Sequence, residues 1–355
     1  MKICIIGNEY VQQFPLLDYG GIESSVENLC LGMQKFLPST DKFCVIVPKR
    51  LRSKKEYDFS VIETDFIESS VSNVHPLFFL KSALDIIVSS NQKPDIIWAQ
   101  SAWSAQGLYN IDIPTIVTIQ DSGPWENNKF VYKKNIYYRF VSKFIYDLVF
   151  KDADKDEYIN KVKSQSFWLH TSLDDNEYEF EPVKDDYILW VAGLNWGMKN
   201  KGLDTFIELS KLMPNQKFVA YGTGDNDITN YLNNLNTELH NFTFKGKLER
   251  GLAHRNAFKK AKLFMMLTRT PEAFGRTNIE ALSKGTPVIG SMSGAVPEIV
   301  NYPGIGFCSN NIDEIIHAIN NTRFDYSACF NYAKEKFYVK HEIDGLLSFT
   351  KKILG

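Results

Sequence analysis

The chain has 355 residues, 44% hydrophobic and 23% charged, the composition of an ordinary globular protein, which excludes disorder, collagen-like repeats and coiled coil. Its 40 Lys+Arg against 42 Asp+Glu leave a formal charge of -2, so no bulk cationic field exists to hold a polyanion and nucleic acid is set aside as a partner. At about 150 residues per domain, the length predicts two domains.

The first apolar run, Ile3–Ile6, is broken by Gly7 and Asn8 and is too short for the core of a signal peptide. No run approaches the 18 apolar residues of a membrane span, so a cytoplasmic protein is expected. After this strand, Gly20-Gly21 precede an apolar-periodic run (Val26, Leu29, Cys30, Met33) that predicts a helix. Paired glycines let backbone N–H groups approach a ligand, and a helix start favours a phosphate; a plain tight turn is the competing reading. Further strands are predicted at Cys44–Val47, Ile96–Ala99, Thr115–Ile119 and Phe167–His170. Short, uniformly apolar strands separated by helix-length segments read as a parallel sheet covered on both faces.

Lys49–Lys55 is a basic cluster read as a solvated loop. Lys129–Lys151 holds six basic residues, one acid and eight aromatics and is read as a helix. Such a helix either packs into the core with its lysines snorkelling outward or makes peripheral contact with an anionic membrane. Asp154-Lys-Asp156 superficially matches a metal-binding acid pair, but it lies in an acidic run with no adjacent strand, so no catalytic metal is expected. The stretch 174–186 has seven acids, one Lys and one Pro without an apolar face, and predicts a solvated interdomain connection. The second half repeats the strand pattern at Ile188–Ala192, Lys217–Tyr221, Phe242–Phe244, Leu263–Leu267, Val288–Gly290 and Gly306–Cys308. Apolar residues at helical spacing over Lys334–Leu354 predict one terminal helix. Five cysteines without a CxxC pair fit buried thiols better than disulfides or zinc.

The segment richest in chemistry is 270–290. Glu272 lies in the exit loop of the Leu263–Leu267 strand, Gly275–Thr277 begin a helix, and Glu280 falls about one turn inside it. A carboxylate beside a diphosphate is repelled, so these acids suit hydroxyls of a sugar or ribose, with phosphates on the N–H groups between them. Acids offsetting a helix dipole are the plainer alternative.

Glu272-x7-Glu280, followed by Ala281, Gly285, Pro287 and Val288 and then Gly294-Ala-Val-Pro-Glu298, resembles the donor-binding signature of the retaining GT-B glycosyltransferases of the glycogen synthase, sucrose synthase and phosphatidylinositol mannosyltransferase type. Gly20-Gly21-Ile22-Glu23, Ala192-Gly193, Lys201-Gly202-Leu203-Asp204, Tyr221-Gly-Thr-Gly224 and Gly246 are similar to further family motifs in the expected order. Three positions depart from them: Leu194 stands where Arg is frequent, Gln120 where His is usual, and Ala273 where Gly is frequent.

The resemblance implies an α/β GT-B fold, two facing Rossmann-like doubly wound domains with a C-terminal crossover helix. It places an acceptor-binding domain at 1–173, a linker at 174–186, a donor-binding domain at 187–334 and a helix at 335–355 packing back on the first domain. It implies a metal-independent retaining transferase without cofactor, taking a nucleotide sugar as donor and a glycan, lipid or small-molecule hydroxyl as acceptor. Glu272, Lys201, Arg276 and Gln120 are the expected catalytic residues. The nucleotide sugar is expected at Gly20, Gly21, Gly193, Lys199, Lys201, Gly246, Phe274, Gly275, Arg276, Thr277 and Glu280. A catalytically silent homologue acting as partner subunit or sugar-binding module, and a nucleotide-sugar epimerase, are the rival readings.

Overall fold

Ile3, Cys4, Ile5 and Ile6 are all buried, so the strand they form is covered on both faces, as parallel sheets flanked by helices require. The computed structural model describes residues 1–7, 21–49, 56–67, 77–90, 93–121 and 130–355. Contacts divide the chain into two compact units, one of Met1–Asp174 with Val339–Gly355, the other of Asp175–Tyr338.

The first unit runs β1 (Lys2–Ile6), α1 (Gly21–Phe36), β2 (Lys42–Lys49), β3 (Ser60–Ile67), α2 (Leu77–Ser89), β4 (Ile96–Ala99), α3 (Ser104–Gly107), β5 (Thr115–Ile119), β6 (Ile136–Phe140), α4 (Lys143–Val149), α5 (Glu157–Ser164) and β7 (Ser166–Trp168). Its parallel sheet has the order β3-β2-β1-β4-β5-β6-β7. The second unit runs β8 (Asp185–Val191), α6 (Leu194–Asn200), α7 (Leu203–Leu212), β9 (Lys217–Tyr221), α8 (Asn226–Glu238), β10 (Phe242–Phe244), α9 (Leu252–Lys260), β11 (Ala261–Met266), α10 (Arg276–Leu282), β12 (Val288–Gly290), α11 (Val296–Val300), β13 (Gly306–Cys308), α12 (Ile312–Asn321) and α13 (Tyr326–Phe337). Its parallel sheet is ordered β10-β9-β8-β11-β12-β13. Both are doubly wound Rossmann-like sheets whose strand order reverses after the first strand, at β1/β4 and at β8/β11. The last helix, α14 (Val339–Leu354), belongs to the first unit, where Glu342 pairs with Arg139 of β6 at 2.6 Å with both side chains buried.

Three sequence expectations change. The helix expected over Lys129–Lys151 contains a strand instead: Ile136, Tyr138 and Phe140 are buried in β6, and only Lys143–Val149 is helical. Aromatic and β-branched residues favour a strand once β5 and β7 lie beside them. The rings pack inward, with Phe140 edge-to-face on Tyr146 and Phe150. The single terminal helix is two, since Tyr338 is extended between α13 and α14.

The acidic connection is solvated only in part, and three of its acids are paired. Glu177 pairs with buried Lys284, Glu179 with Lys259 and Glu181 with Lys260, lysines far off in sequence that the fold brings alongside. Asp156 has a local task as the N-cap of α5, accepting from the N–H groups of Tyr158 and Ile159. Most of the basic cluster Lys49–Lys55 lies outside the described residues. Among the described residues, no helix is long and apolar enough to cross a membrane.

Candidate functional site

Open α/β sheets bind ligands outside the carboxyl ends of their strands where the order reverses, which in the second unit is between β8 and β11. The turn between α6 and α7, which follow β8, carries Lys201, and the loop leaving β11 carries Glu272. Gly202, at φ 71°, lets that turn lie on the end of β11: a Cβ there would fall 2.1 Å from the Leu267 carbonyl oxygen. Hydrogen bonds then staple the two segments together. Arg269 N–H and Thr268 Oγ1 both donate to the Asn200 carbonyl, at 2.9 and 2.8 Å, and the Arg269 guanidinium grips Asp204 and the Lys199 carbonyl. Across the join, Lys201 Nζ donates to Glu272 Oε2, with both side chains part-exposed (23% and 17%) and open to exchange with a ligand.

The Gly294-Ala295 segment clasps Glu272 from its other side. Ala295 N–H donates to the Glu272 carbonyl at 2.8 Å. Gly294, at φ 63°, sits so close that a Cβ would lie 2.1 Å from the Glu272 nitrogen. The two halves of the sequence motif thus meet in space.

Helix α10 starts after Gly275, whose φ of 81° makes the turn out of the loop. Arg276 and Glu280, one turn apart on it, form a buried pair with Nε donating to Oε1 at 3.1 Å. His254 of α9 completes the group, with Nε2 3.5 Å from Glu280 Oε2. Burial holds the His254 imidazole below its ordinary range, against the opposing pull of Glu280, so it is neutral near pH 7. Past the other end of α10, fully buried Lys284 donates to Glu177 Oε2 at 3.0 Å and to Ser283 Oγ at 3.1 Å. Burial pushes the Glu177 carboxyl up, but Lys284 draws it down further, leaving it below the usual range.

The remaining sequence-derived residues are distributed as follows. Phe274 is buried edge-to-face on Phe337, an anchor for the loop. Thr277 Oγ1 and both amide atoms of Asn278 are buried without a hydrogen bond. Gly193 caps α6, while Leu194, in the place of the expected Arg, is fully buried over Gly222 and Gly224 in the apolar core. Lys199 is exposed on α6. The Gly246 carbonyl accepts from Gly222 N–H at 2.9 Å, joining the exits of β9 and β10. In the first unit, Gly21 opens α1, and Gln120, after β5, donates to the carbonyl and side-chain oxygens of Gln100 at 3.3 Å. Gly20 lies outside the described residues.

Sequence reasoning missed His254 and Asn278. His254 has no motif of its own, and only the packing of α9 on α10 joins it to Glu280. Asn278 lies inside the motif at an ordinary helical position, and its complete burial is a tertiary fact.

Residues 175–326 match the family described as glycosyl transferases group 1. The chain is 29% identical over 184 residues to an uncharacterised glycosyltransferase of Methanocaldococcus jannaschii, a match taking in 48% of this chain and 45% of that one, so less than half of that relative is spanned. Its fold is similar to that of a sucrose-phosphate synthase from Thermosynechococcus elongatus, with a TM-score of 0.73 at 14% identity over 98% of each chain. It is also similar to Anabaena HepE in complex with UDP-glucose, with a TM-score of 0.63 at 16% identity over 98% of this chain and 99% of that one. The segment 175–326, which carries Lys201, Glu272 and Glu280, thus matches the glycosyl transferases group 1, and the chain as a whole has a GT-B fold.

Proposed function

We propose that the chain transfers a glycosyl group from a nucleoside diphosphate sugar to a hydroxyl acceptor, with retention at the anomeric carbon. The observation that carries this reading is the Lys201–Glu272 pair on two stapled segments at the switch point of the second sheet, with Glu280 one turn inside the helix that follows Glu272. The family match over the same residues and a structural neighbour bound to UDP-glucose support it.

Glu280, held by Arg276, takes the ribose hydroxyls, and Glu272 takes hydroxyls of the donor sugar. On donor binding Lys201 exchanges Glu272 for the diphosphate, where it stabilises the growing negative charge together with backbone N–H groups of Phe274–Thr277. The bond from the anomeric carbon to the leaving phosphate oxygen breaks as the bond to the acceptor oxygen forms on the same face. The acceptor proton passes to the leaving diphosphate, so no side-chain nucleophile and no divalent metal take part.

The test is nucleoside diphosphate release from UDP-, GDP-, ADP- and TDP-sugars in the presence of EDTA, with and without acceptors. Release with a product of unchanged anomeric configuration is expected. Binding without release makes the chain a silent homologue, a changed sugar without release makes it an epimerase, and activity restored only by manganese removes the metal-free mechanism.

A further inference from the structure

Two of the five cysteines stand side by side in the first unit. The parallel register of β1 and β2 pairs Lys2 with Lys42, Cys4 with Cys44 and Ile6 with Ile46. Alternate residues of a strand share a face, so these three pairs form one ladder, with the lysines exposed at the rim and the isoleucines buried below. Neighbouring strands lie about 4.8 Å apart, within the range of roughly 4.4–6.8 Å between Cα atoms that a disulfide spans. Both cysteines line a cavity of about 160 Å³, walled by Ile62, Ile87 and Pro94. Cys4 is buried, while Cys44 is half-buried and reaches that cavity.

We propose that Cys4 and Cys44 form a peroxide-oxidisable dithiol site, with Cys44 the attacking sulfur and Cys4 the resolving one. The Cys44 thiolate attacks one peroxide oxygen, an S–O bond forms, the O–O bond breaks and hydroxide leaves, giving a sulfenic acid. Cys4 then loses its proton to hydroxide and attacks the Cys44 sulfur. The S–S bond forms as the S–O bond breaks and hydroxide leaves, and this hydroxide takes up the proton that Cys44 gave to solvent on becoming a thiolate, which makes the second water. Two thiols and one peroxide thus become one disulfide and two waters.

The division of roles follows from the surroundings of the sulfurs. The hydrogen bond between the two thiols lowers Cys44 from its ordinary range against the opposing effect of burial, whereas the same hydrogen bond and burial both raise Cys4. The half-buried sulfur at the cavity, the more readily deprotonated of the two, is the nucleophile, and the buried thiol beside it is the group that resolves. Cys30, Cys308 and Cys329 are buried, with thiols pushed up by burial, and serve as internal controls.

The full chain is treated with hydrogen peroxide, blocked with iodoacetamide in denaturant and digested for mass spectrometry. A Cys4–Cys44 cross-linked peptide pair, reversed by dithiothreitol, is expected. In Cys4→Ser the oxidation stops at a Cys44 sulfenic acid that dimedone traps; in Cys44→Ser Cys4 remains an unmodified thiol. Before any peroxide, Cys44 of the native chain alkylates about tenfold faster or more than the three controls, as thiolate character requires. Thermal unfolding of both variants checks that they fold. A Cys30–Cys44 bond, no cross-link at all, or native alkylation of Cys44 no faster than of the controls overturns the proposal.

Discussion

Glu280 and Glu272 have different surroundings, and this separates the effects of removing each. Glu280 is buried on Arg276, so Glu280→Ala both removes the proposed ribose ligand and strands a buried guanidinium, which costs about 3–5 kcal/mol. Glu280→Gln keeps the shape and an acceptor, and its calorimetric affinity for the free nucleoside diphosphate should fall by roughly tenfold or more, since hydrogen bonds to a charged group contribute about 1.5–3 kcal/mol. Unchanged affinity in the folded Gln variant would remove Glu280 from the site. Glu272→Gln, on the more open Lys201 pair, should depress turnover while nucleotide affinity holds. Gly294→Ala should resemble it, because the added methyl forces the Glu272 backbone aside; kcat near that of the parent enzyme would contradict the clasp.

His254 gives the same cluster a pH signature. Its folded-state pKa lies below the unfolded value, so in acid the unfolded chain binds the extra proton and stability falls with pH. The loss begins near the unfolded value of about 6.5 and grows towards the lower folded value. The acid side of a Tm-against-pH curve should be flatter in His254→Asn than in the parent chain, and an unaltered slope would show that the imidazole does not titrate on unfolding.

Among the elements, α14 depends most on one polar contact. Glu342 accepts from Arg139 and Ser172, and Arg139 also donates to the carbonyls of Leu169 and His170, so one carboxylate ties the last helix to β6 and the segment after β7. Trp98 Nε1 adds a bond to Thr350 at 3.1 Å. Gly32 of α1 admits the start of α14: a Cβ there would come within 2.3 Å of Val339 Cγ2. Removing one partner of a buried pair leaves an uncompensated charge, so Glu342→Ala should lose about 3–5 kcal/mol in urea unfolding. A loss below about 1 kcal/mol, the scale of an exposed pair, would mean that water reaches Arg139.

On the scale of the whole molecule, the last 17 residues (339 to 355) serve the unit that begins with Met1, while Lys201, Glu272, Phe274–Thr277 and Glu280 of the proposed donor site lie within 175–338. Truncation after Tyr338 should therefore strip hydrogen-exchange protection from β1–β7 and leave nucleoside diphosphate affinity within about twofold, since separate sites act independently. Joint loss of both would show that the units do not fold separately.

Much of this arrangement was legible in the residues. Uniformly apolar runs at regular spacing can only be strands covered on both faces, and eleven strand positions follow from them, with the doubly wound class. Glu272, Glu280 and Lys201 stood out because a loop that meets a diphosphate sugar needs its cations, carboxylates and glycines at set intervals. What the tertiary structure alone decided depends on neighbours distant in sequence. Strand β6 reads as a basic aromatic helix until β5 and β7 lie beside it, and Glu177, Glu179 and Glu181 read as unpaired until Lys284, Lys259 and Lys260 are folded alongside. Burial of Arg276, the approach of His254 to Glu280, and register of Cys4 with Cys44 are likewise contacts between segments tens of residues apart. Local pattern sets which face of an element is apolar, whereas a charged or thiol side chain takes its chemistry from whatever the packing places against it.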